Sequence, residues 1–190
     1  RMDIDKIQRG IRMVLEGMGE DPEREGLRDT PRRVAEMYRD ILGGTHQDLG
    51  AILQSIPSDK HQELVLIKDI PFYSMCEHHL IPFFGMAHVA YIPSLGGKIV
   101  GLSKLARLVQ TAAARLQLQE RLTSTIADTL MERLEPIGVL VLVQAEHLCM
   151  SMRGVRTVGA LTVTSAVRGV FRTSAATRAE VLALIDAPRK

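Results

Sequence analysis

Apolar residues recur at helical spacing through the first third of the chain. They are Ile4, Ile7, Ile11, Val14, Leu15 and Met18 in one segment, and Val34, Met37, Tyr38, Ile41 and Leu42 in the next. A period of three to four residues is typical of an amphipathic helix. Asp3 is placed to cap the first helix, and Thr30-Pro31 predicts the start of the second as a cap followed by proline. The pattern therefore predicts two helices.

Beyond a mostly polar stretch at 46–63, the apolar period changes to two, which is typical of strands. The predicted strands lie at 64–70, 83–92, 139–145 and 161–171. Gly96-Gly97 favours the turn of a hairpin that leads from the second of these strands into Ile99 and Val100. These junctions favour antiparallel pairing.

Helical spacing returns between the second and third of these strands. Ser103 is placed to cap one helix, a second helix runs to Leu134, and Ser174 predicts the start of a last short helix. Strands, two central helices and further strands indicate an α+β domain. Residues 1–44 are predicted to be a helical appendage, and residues 45–190 the main domain.

Composition excludes several classes of protein. Hydrophobic residues make up 46% of the 190 residues, which is enough for a buried core. The net charge is +2, aromatic residues make up 4% and Trp is absent, so we expect no nucleic-acid partner. No apolar run approaches the roughly 20 residues of a membrane span, so we expect no membrane partner either.

The N-terminus carries no apolar signal core, which favours a cytoplasmic protein. Arg1 is an unusual first residue, so we expect that a natural leader precedes it. In that compartment the two cysteines, Cys76 and Cys149, are expected to be metal ligands or free thiols rather than a disulfide.

Cys76 and His79 form a Cys-x-x-His pair, and Cys149 follows much later in the chain. Two thiolates and one imidazole favour zinc, and three protein ligands leave a position for water, as in catalytic sites. Two cysteines cannot supply a structural site of three or four thiolates in one chain. The alternative is that the cysteines are unrelated and that Cys149 lines a core face. Spacing alone leaves both open.

Each cysteine has a further histidine beside it, namely His78 next to His79 and His147 two residues before Cys149. A histidine beside a metal-bound water is suited to proton transfer, so His78 and His147 are candidate catalytic residues. His88, in the middle of a predicted strand, is expected to be a packed histidine rather than a ligand.

Basic residues follow the predicted start of the first central helix. Ser103-Lys104 lies at that start, where free N–H groups attract anions, and Arg107 shares a helix face with Lys104. With Arg153, these cations are suited to a triphosphate; the alternative is a solvated basic helix face. Gln119-Glu120 is a candidate reader of a base edge, or else an ordinary polar helix start.

Several motifs in order give the chain a close resemblance to the GTP cyclohydrolase I family. Cys76 to Phe83 resembles the CEHHLxPF signature of that family, Gly101 to Arg107 its GLSKxxR segment, and Gln117 to Leu122 its QxQERL segment. The HxCM…RG and TxTS segments are matched at 147–154 and 162–165, and an N-terminal pattern at 20–31. The resemblance covers nearly the whole chain.

The resemblance implies the tunnelling fold, an antiparallel sheet with two helices on one face, preceded by an N-terminal helical part. It also implies a homodecamer of two pentamer rings with the site between subunits. The implied reaction converts GTP and water to 7,8-dihydroneopterin triphosphate and formate, the first step of pterin and folate biosynthesis.

The same resemblance implies roles for the candidate residues. One Zn²⁺ per subunit would be held by Cys76, His79 and Cys149. Substrate would be bound by Ser103 near the ribose and phosphates, by Glu120 at the guanine edge with Gln119 beside it, and by Lys104, Arg107 and Arg153 at the triphosphate. His78 or His147 would supply the proton that guanine N7 needs before water attacks C8.

One segment departs from the family pattern. The stretch at 158–161, Val-Gly-Ala-Leu, is more apolar than the resemblance leads us to expect. Two rival functions remain. One is that of a nitrile reductase of the same fold, which uses a cysteine nucleophile and a nicotinamide cofactor. The other is a zinc-stabilised assembly protein without enzymatic activity.

Overall fold

The computed structural model describes residues 2–57 and 61–188. Arg1, which prompted the expectation of a leader, lies outside the described residues, as do 58–60 of the polar stretch and 189–190 at the end of the main domain. Among the described residues, no helix has the length and apolar character needed to cross a membrane.

The predicted helices and strands follow one another in the predicted order, with further short helices and strands between them that the sequence did not predict. The helices are α1 (Ile4–Gly17), α2 (Thr30–Ile41), α3 (Leu49–Ile52), α4 (Leu102–Ala113), α5 (Gln119–Leu134), α6 (Leu148–Ser151), α7 (Val170–Thr173) and α8 (Ala175–Asp186). The strands are β1 (Ser55–Pro57), β2 (Val65–Cys76), β3 (Ile81–Ile92), β4 (Lys98–Val100), β5 (Leu116–Gln117), β6 (Gly138–His147) and β7 (Thr162–Gly169).

The two N-terminal helices form where the apolar spacing predicts them, and they pack on each other. The Asp3 side chain accepts a hydrogen bond from Lys6 N at 2.9 Å, which confirms the predicted cap of α1. At α2 the predicted cap is wrong by one residue, because Thr30 is already helical and Asp29 holds the cap position without a side-chain bond. The boundary at residue 44 stays a prediction.

Five strands form one sheet in the order β5-β2-β3-β6-β7, with antiparallel pairs except for the short parallel pair of β5 and β2. The predicted hairpin into β4 is wrong, because β2 and β6 occupy both edges of β3. β4 pairs instead with β1 in a separate two-stranded sheet. The first predicted strand runs on to Cys76, and the last ends at Gly169, where a positive φ turns the chain into α7.

The main core lies between one face of the sheet and the pair of central helices. α4 packs on β2, and α5 packs on β6 and β7. The helical core residues are Leu105, Leu108, Val109, Ala112, Leu122, Ile126, Leu130 and Leu134. The predicted α+β architecture is therefore confirmed. A smaller cluster on the opposite face holds α8 through Val181 and Ile185, and the predicted Ser174 cap of α8 is confirmed.

The start of α4 differs from the prediction. Gly101 holds the cap position, and Ser103 is the second residue of the helix rather than its cap. The first turn closes through a hydrogen bond from Lys104 N to Gly101 O at 2.8 Å, so no side chain is needed to begin it.

Strand register brings three chain segments to one end of the sheet. Cys76, the last residue of β2, is paired with Ile81 at the start of β3. His147, the last residue of β6, is paired with Phe83, only two residues further along β3. Because Cys149 follows directly in α6, the topology places both cysteines at the same edge.

Candidate active site

A tight turn joins β2 to β3 and holds the two adjacent histidines. Leu80 N donates to Cys76 O at 2.9 Å, which closes the turn, and Leu80 has a φ of 52°. This left-handed conformation is uncommon outside glycine and occurs where the surrounding structure requires it. The turn folds His79 back toward Cys76.

Cys76, His79 and Cys149 converge on one point. One sulfur or ring nitrogen from each residue lies within 4.8 Å of the other two. Ligands of a tetrahedral zinc at 2.3 Å lie about 3.8 Å apart, so small side-chain shifts would suffice to bring all three to one ion. Cys76 is buried, Cys149 half-buried and His79 exposed, which leaves one side of the group open. The structure therefore brings the three predicted ligands together.

The thiols differ from ordinary surface cysteines. Burial raises the pKa of the Cys149 thiol, and the adjacent Cys76 sulfur raises it further. Two thiols at this separation disfavour charge on both sulfurs unless a cation lies between them, because each thiolate repels the other. A metal cation supplies that charge and deprotonates coordinating thiols, so the donor set fits a thiophilic metal ion.

Arg153 approaches the same group from the loop after α6. Its Nη1 donates to His79 Nε2 at 3.3 Å, and the side chain is otherwise exposed. This places a fixed positive charge beside the group of Cys76, His79 and Cys149, on its open side. An anion bound there would meet both the cluster and the guanidinium.

His147 is held in a fixed orientation by two neighbours. Its ring stacks on Phe83 with 4.6 Å between centroids and 3° between planes. Its Nε2 lies 2.7 Å from Oε1 of Gln119. Burial lowers the pKa of His147, and the carboxylate of Glu120 opposes that shift. Neither the ring stack on Phe83 nor the contact with Gln119 was expected from the sequence.

A cavity of about 470 Å³ contains most of these groups. Its walls are formed by Cys76, His78, Gln117, Leu118, Gln119, Glu120, His147, Cys149, Met150 and Thr162. Both predicted catalytic histidines, both cysteines and the Gln119-Glu120 pair therefore line one space. Two neighbouring side chains of this lining differ in exposure: Glu120 is exposed, whereas Gln119 is buried and only 2% exposed.

The basic residues of α4 are not part of this cavity within one chain. Among the described residues that line it, none is Ser103, Lys104 or Arg107. Arg107 lines a different cavity of about 210 Å³, together with Asp40, Gly43 and Gly44 near the end of α2. Within one chain, the cavity thus contains both cysteines and both histidines, whereas the cations of α4 lie elsewhere.

An ion pair joins the turn to α5. Arg121 Nη1 donates to Glu77 Oε2 at 2.7 Å, and Nη2 donates to Oε1 at 3.1 Å. The hydrogen bonds from Arg121 lower the pKa of Glu77. Both residues lie inside the motifs that carried the family resemblance, but nothing in their spacing indicated that they would pair. The pair fixes the turn of His78 and His79 against the helix of Glu120.

A model of the family described as GTP cyclohydrolase I matches residues 7–186. The chain belongs to the GTP cyclohydrolase I family. The predicted resemblance is thereby confirmed, and with it the assignment of the chain as an enzyme of this family. The tunnelling fold predicted from that resemblance agrees with the sheet and its two helices on one face.

Curated relatives are similar over almost their whole length. GTP cyclohydrolase 1 from Halalkalibacterium halodurans is 62% identical over 185 residues, which cover 97% of this chain and 98% of the relative. The Geobacillus sp. protein of the same name is 61% identical over 184 residues, or 97% of each chain. A crystal structure of the archaeosine synthase QueF-Like in the apo form overlaps 58% of this chain at 21% identity, with a TM-score of 0.46.

Proposed function

We propose that this GTP cyclohydrolase I family member converts GTP and water to 7,8-dihydroneopterin triphosphate and formate, the first step of pterin and folate biosynthesis. The observation that carries the proposal is the convergence of Cys76, His79 and Cys149 at a cavity that His147 and Glu120 also line. This arrangement joins a metal donor set, a proton donor and a carboxylate at the scale of a nucleotide base.

We propose that Cys76, His79 and Cys149 hold one Zn²⁺ per subunit. Two sulfurs and one imidazole nitrogen favour zinc over magnesium or calcium, and three protein ligands are typical of catalytic rather than structural zinc sites. When bound, the ion would supply a water of lowered pKa as the nucleophile for guanine C8. The group of three ligands is exposed next to His79, so substrate can reach the proposed ion from that side.

The remaining residues of the cavity have separate roles in the proposal. Glu120, exposed at the first turn of α5, accepts hydrogen bonds from the N–H donors on the guanine edge. His147 supplies the proton that guanine N7 needs, which makes C8 electrophilic. His78, which lines the same cavity, is assigned a second proton transfer as the imidazole ring opens and formate leaves.

The triphosphate is proposed to bind where two copies of the chain meet. Arg153 lies beside the metal cluster of its own chain, whereas Ser103, Lys104 and Arg107 belong to α4, away from that cavity. A neighbouring copy that presents the start of its α4 would complete the site. Helix N–H groups and the two cations would then meet the phosphates.

The strand edges support assembly into a ring. Among the residues that the structure describes, β7 pairs only with β6, and β5 borders only the last two residues of β2. Both ends of the sheet thus present long unpaired edges, which proteins normally cover or pair. We propose that β7 of one copy pairs with β2 of the next, that five copies close a ring, and that two rings form a homodecamer.

One experiment tests the reaction itself. Purified protein is incubated with GTP while pterin fluorescence and formate are followed, with and without a zinc chelator. We expect formate and fluorescence to appear together, and both to stop when the metal is removed and to resume when Zn²⁺ is returned. Turnover of GTP without formate, or full activity in metal-free protein, would contradict the proposal. Sedimentation of the same sample tests the decamer.

A further inference from the structure

The carboxamide of Gln119 is enclosed by three acceptors. Its Nε2, which carries two hydrogens, lies 2.9 Å from Thr162 O, 3.1 Å from Val143 O and 3.1 Å from Thr164 Oγ1, and it donates among these acceptors. Two of these partners are carbonyl oxygens, which can only accept. A flipped amide would place Oε1 against both of them, so the hydrogen-bond network determines which end of the amide is nitrogen. Oε1 therefore faces His147.

The orientation of Gln119 determines which nitrogen of His147 carries hydrogen. His147 Nε2 lies 2.7 Å from Oε1, and an amide oxygen can only accept. Nε2 must therefore be an N–H donor, whether the ring is neutral or charged. A 180° flip of the ring would keep the stack on Phe83 but would place Cε1–H instead of Nε2–H against Oε1, so the hydrogen bond to Gln119 also fixes which edge of the ring faces it. The ring atom left for exchange with a ligand is Nδ1.

We propose that Gln119 is a positioning residue that keeps Nε2 of His147 protonated, so that Nδ1 alone exchanges a proton with the bound nucleotide. This inference rests on the proposed function and deepens it. In the transfer, the Nδ1–H bond breaks, guanine N7 gains the proton, and the ring keeps the electron pair and its Nε2–H. Gln119 then acts through His147. The sequence had predicted a different role for it, as a reader of the base edge.

Kinetics separate these two roles. Gln119→Met removes the acceptor and should lower kcat about 10- to 100-fold with little change in KM, because general acid catalysis contributes about 10²–10⁴-fold. The ratio of kcat/KM for GTP to that for inosine triphosphate, which lacks the 2-amino group, should stay as in the wild type. Glu120→Ala, at the proposed base reader, should lower that ratio. A raised KM and a changed ratio in Gln119→Met would overturn the inference.

A conservative variant provides the rescue. In Gln119→Glu, burial among carbonyl oxygens keeps the carboxyl neutral, so its O–H can donate to Thr162 O while its C=O accepts from His147. We expect Gln119→Glu to recover most of the kcat lost in Gln119→Met. Equal losses in both variants, in proportion to lost thermal stability, would mean that Gln119 only supports the fold.

The tautomer can also be read without turnover. Solid-state NMR of zinc-loaded protein labelled with ¹⁵N-histidine distinguishes protonated from bare ring nitrogens, and the His147 signal is the one lost in His147→Asn. We expect Nε2–H in the wild type, in Gln119→Glu and in the control Thr164→Val, and the other tautomer or a mixture in Gln119→Met. A wild-type His147 with hydrogen on Nδ1 alone would overturn the inference, even if Gln119→Met failed to fold. If the wild type did not hydrolyse GTP, the proposed function would fail while this result stayed interpretable.

Discussion

Two histidines, one half-buried and one buried, lie on neighbouring strands of one sheet, and they differ in what surrounds them. His147 ends β6 at the cavity, and His88 lies inside β3, only 4% exposed. Burial lowers the pKa of both rings. His147 borders a cavity of about 470 Å³, whereas His88 Nδ1 accepts a hydrogen bond from Asp69 N at 3.1 Å. A shifted pKa therefore does not identify a catalytic group by itself, because it occurs both at the cavity and away from it.

The surroundings of His88 form a self-contained polar cluster. Asp69 occupies a bulge of β2 with a φ of 61°, and its neighbour Lys68 donates to the carbonyl oxygens of Leu184, Ile185 and Ala187 at the end of α8. These hydrogen bonds hold the end of α8 against the sheet. Around His147, by contrast, the polar side chains line a cavity. The first cluster stabilises the fold, and the second lines the cavity in which we propose that the substrate binds.

The largest expected effect comes from breaking the metal cluster at Cys149. Cys149→Ala removes one of three proposed ligands, and even outer partners of metal ligands cost about 10–100-fold when lost. We expect turnover at the level of metal-free protein and less than one zinc per chain by metal analysis. The assembly should remain intact by sedimentation, since Cys149 is only half-buried at the cavity edge. Collapse of the assembly would favour the rival function of a zinc-stabilised structural protein.

The sequence predicted the helices and strands better than the contacts between them. Helix periods and motifs placed α1, α5, β3 and β6 close to their observed positions, because local apolar spacing determines them. The partner of β4 was missed, because edge occupancy depends on the whole sheet. The enclosed position of Gln119 was missed for a similar reason: its acceptors lie on β6 and β7, far away in the chain. Long-range hydrogen bonds leave no local pattern.

The second prediction concerns the two histidines of the cavity. His147→Ala should lower kcat by about 10²–10⁴-fold, the range for general acid catalysis, while GTP still binds. His78→Ala should also lower turnover with binding retained. Formate release and equilibrium GTP binding measure the two quantities separately. Near-normal formate release by both variants would remove their proposed roles, and the contrast with His88 would fail.

Lys104 tests whether α4 of a neighbouring copy completes the site. A hydrogen bond to a charged group is worth about 1.5–3 kcal/mol, so Lys104→Ala should weaken GTP binding roughly 10- to 100-fold with a smaller change in kcat. Guanosine, which lacks phosphates, should bind both proteins equally and serves as the control ligand. Unchanged GTP affinity would show that the basic face of α4 is merely solvated.

The smallest effect is expected at His88, and it concerns stability rather than turnover. Burial lowers the pKa of His88; Asp69 and Asp186 oppose the shift, and Lys68 adds to it. The unfolded ring therefore binds protons first, near its ordinary pKa of about 6.5. The stabilising contribution of neutral His88 is complete above that pH and is lost as the pH falls below it, because the unfolded state then carries more protons.

His88→Phe removes both the titration and the acceptor of Asp69 N, and an unsatisfied buried N–H costs about 1–3 kcal/mol. We expect a lower melting temperature at pH 7.5, less further loss between pH 6.5 and 5.5 than in the wild type, and unchanged kcat per folded molecule. His88→Gln offers Asp69 N an amide oxygen without a titrating ring, so it should show the same shallow pH dependence with a smaller loss at pH 7.5. A fall in kcat without loss of stability would place His88 in the catalytic apparatus and erase the distinction between the two histidines.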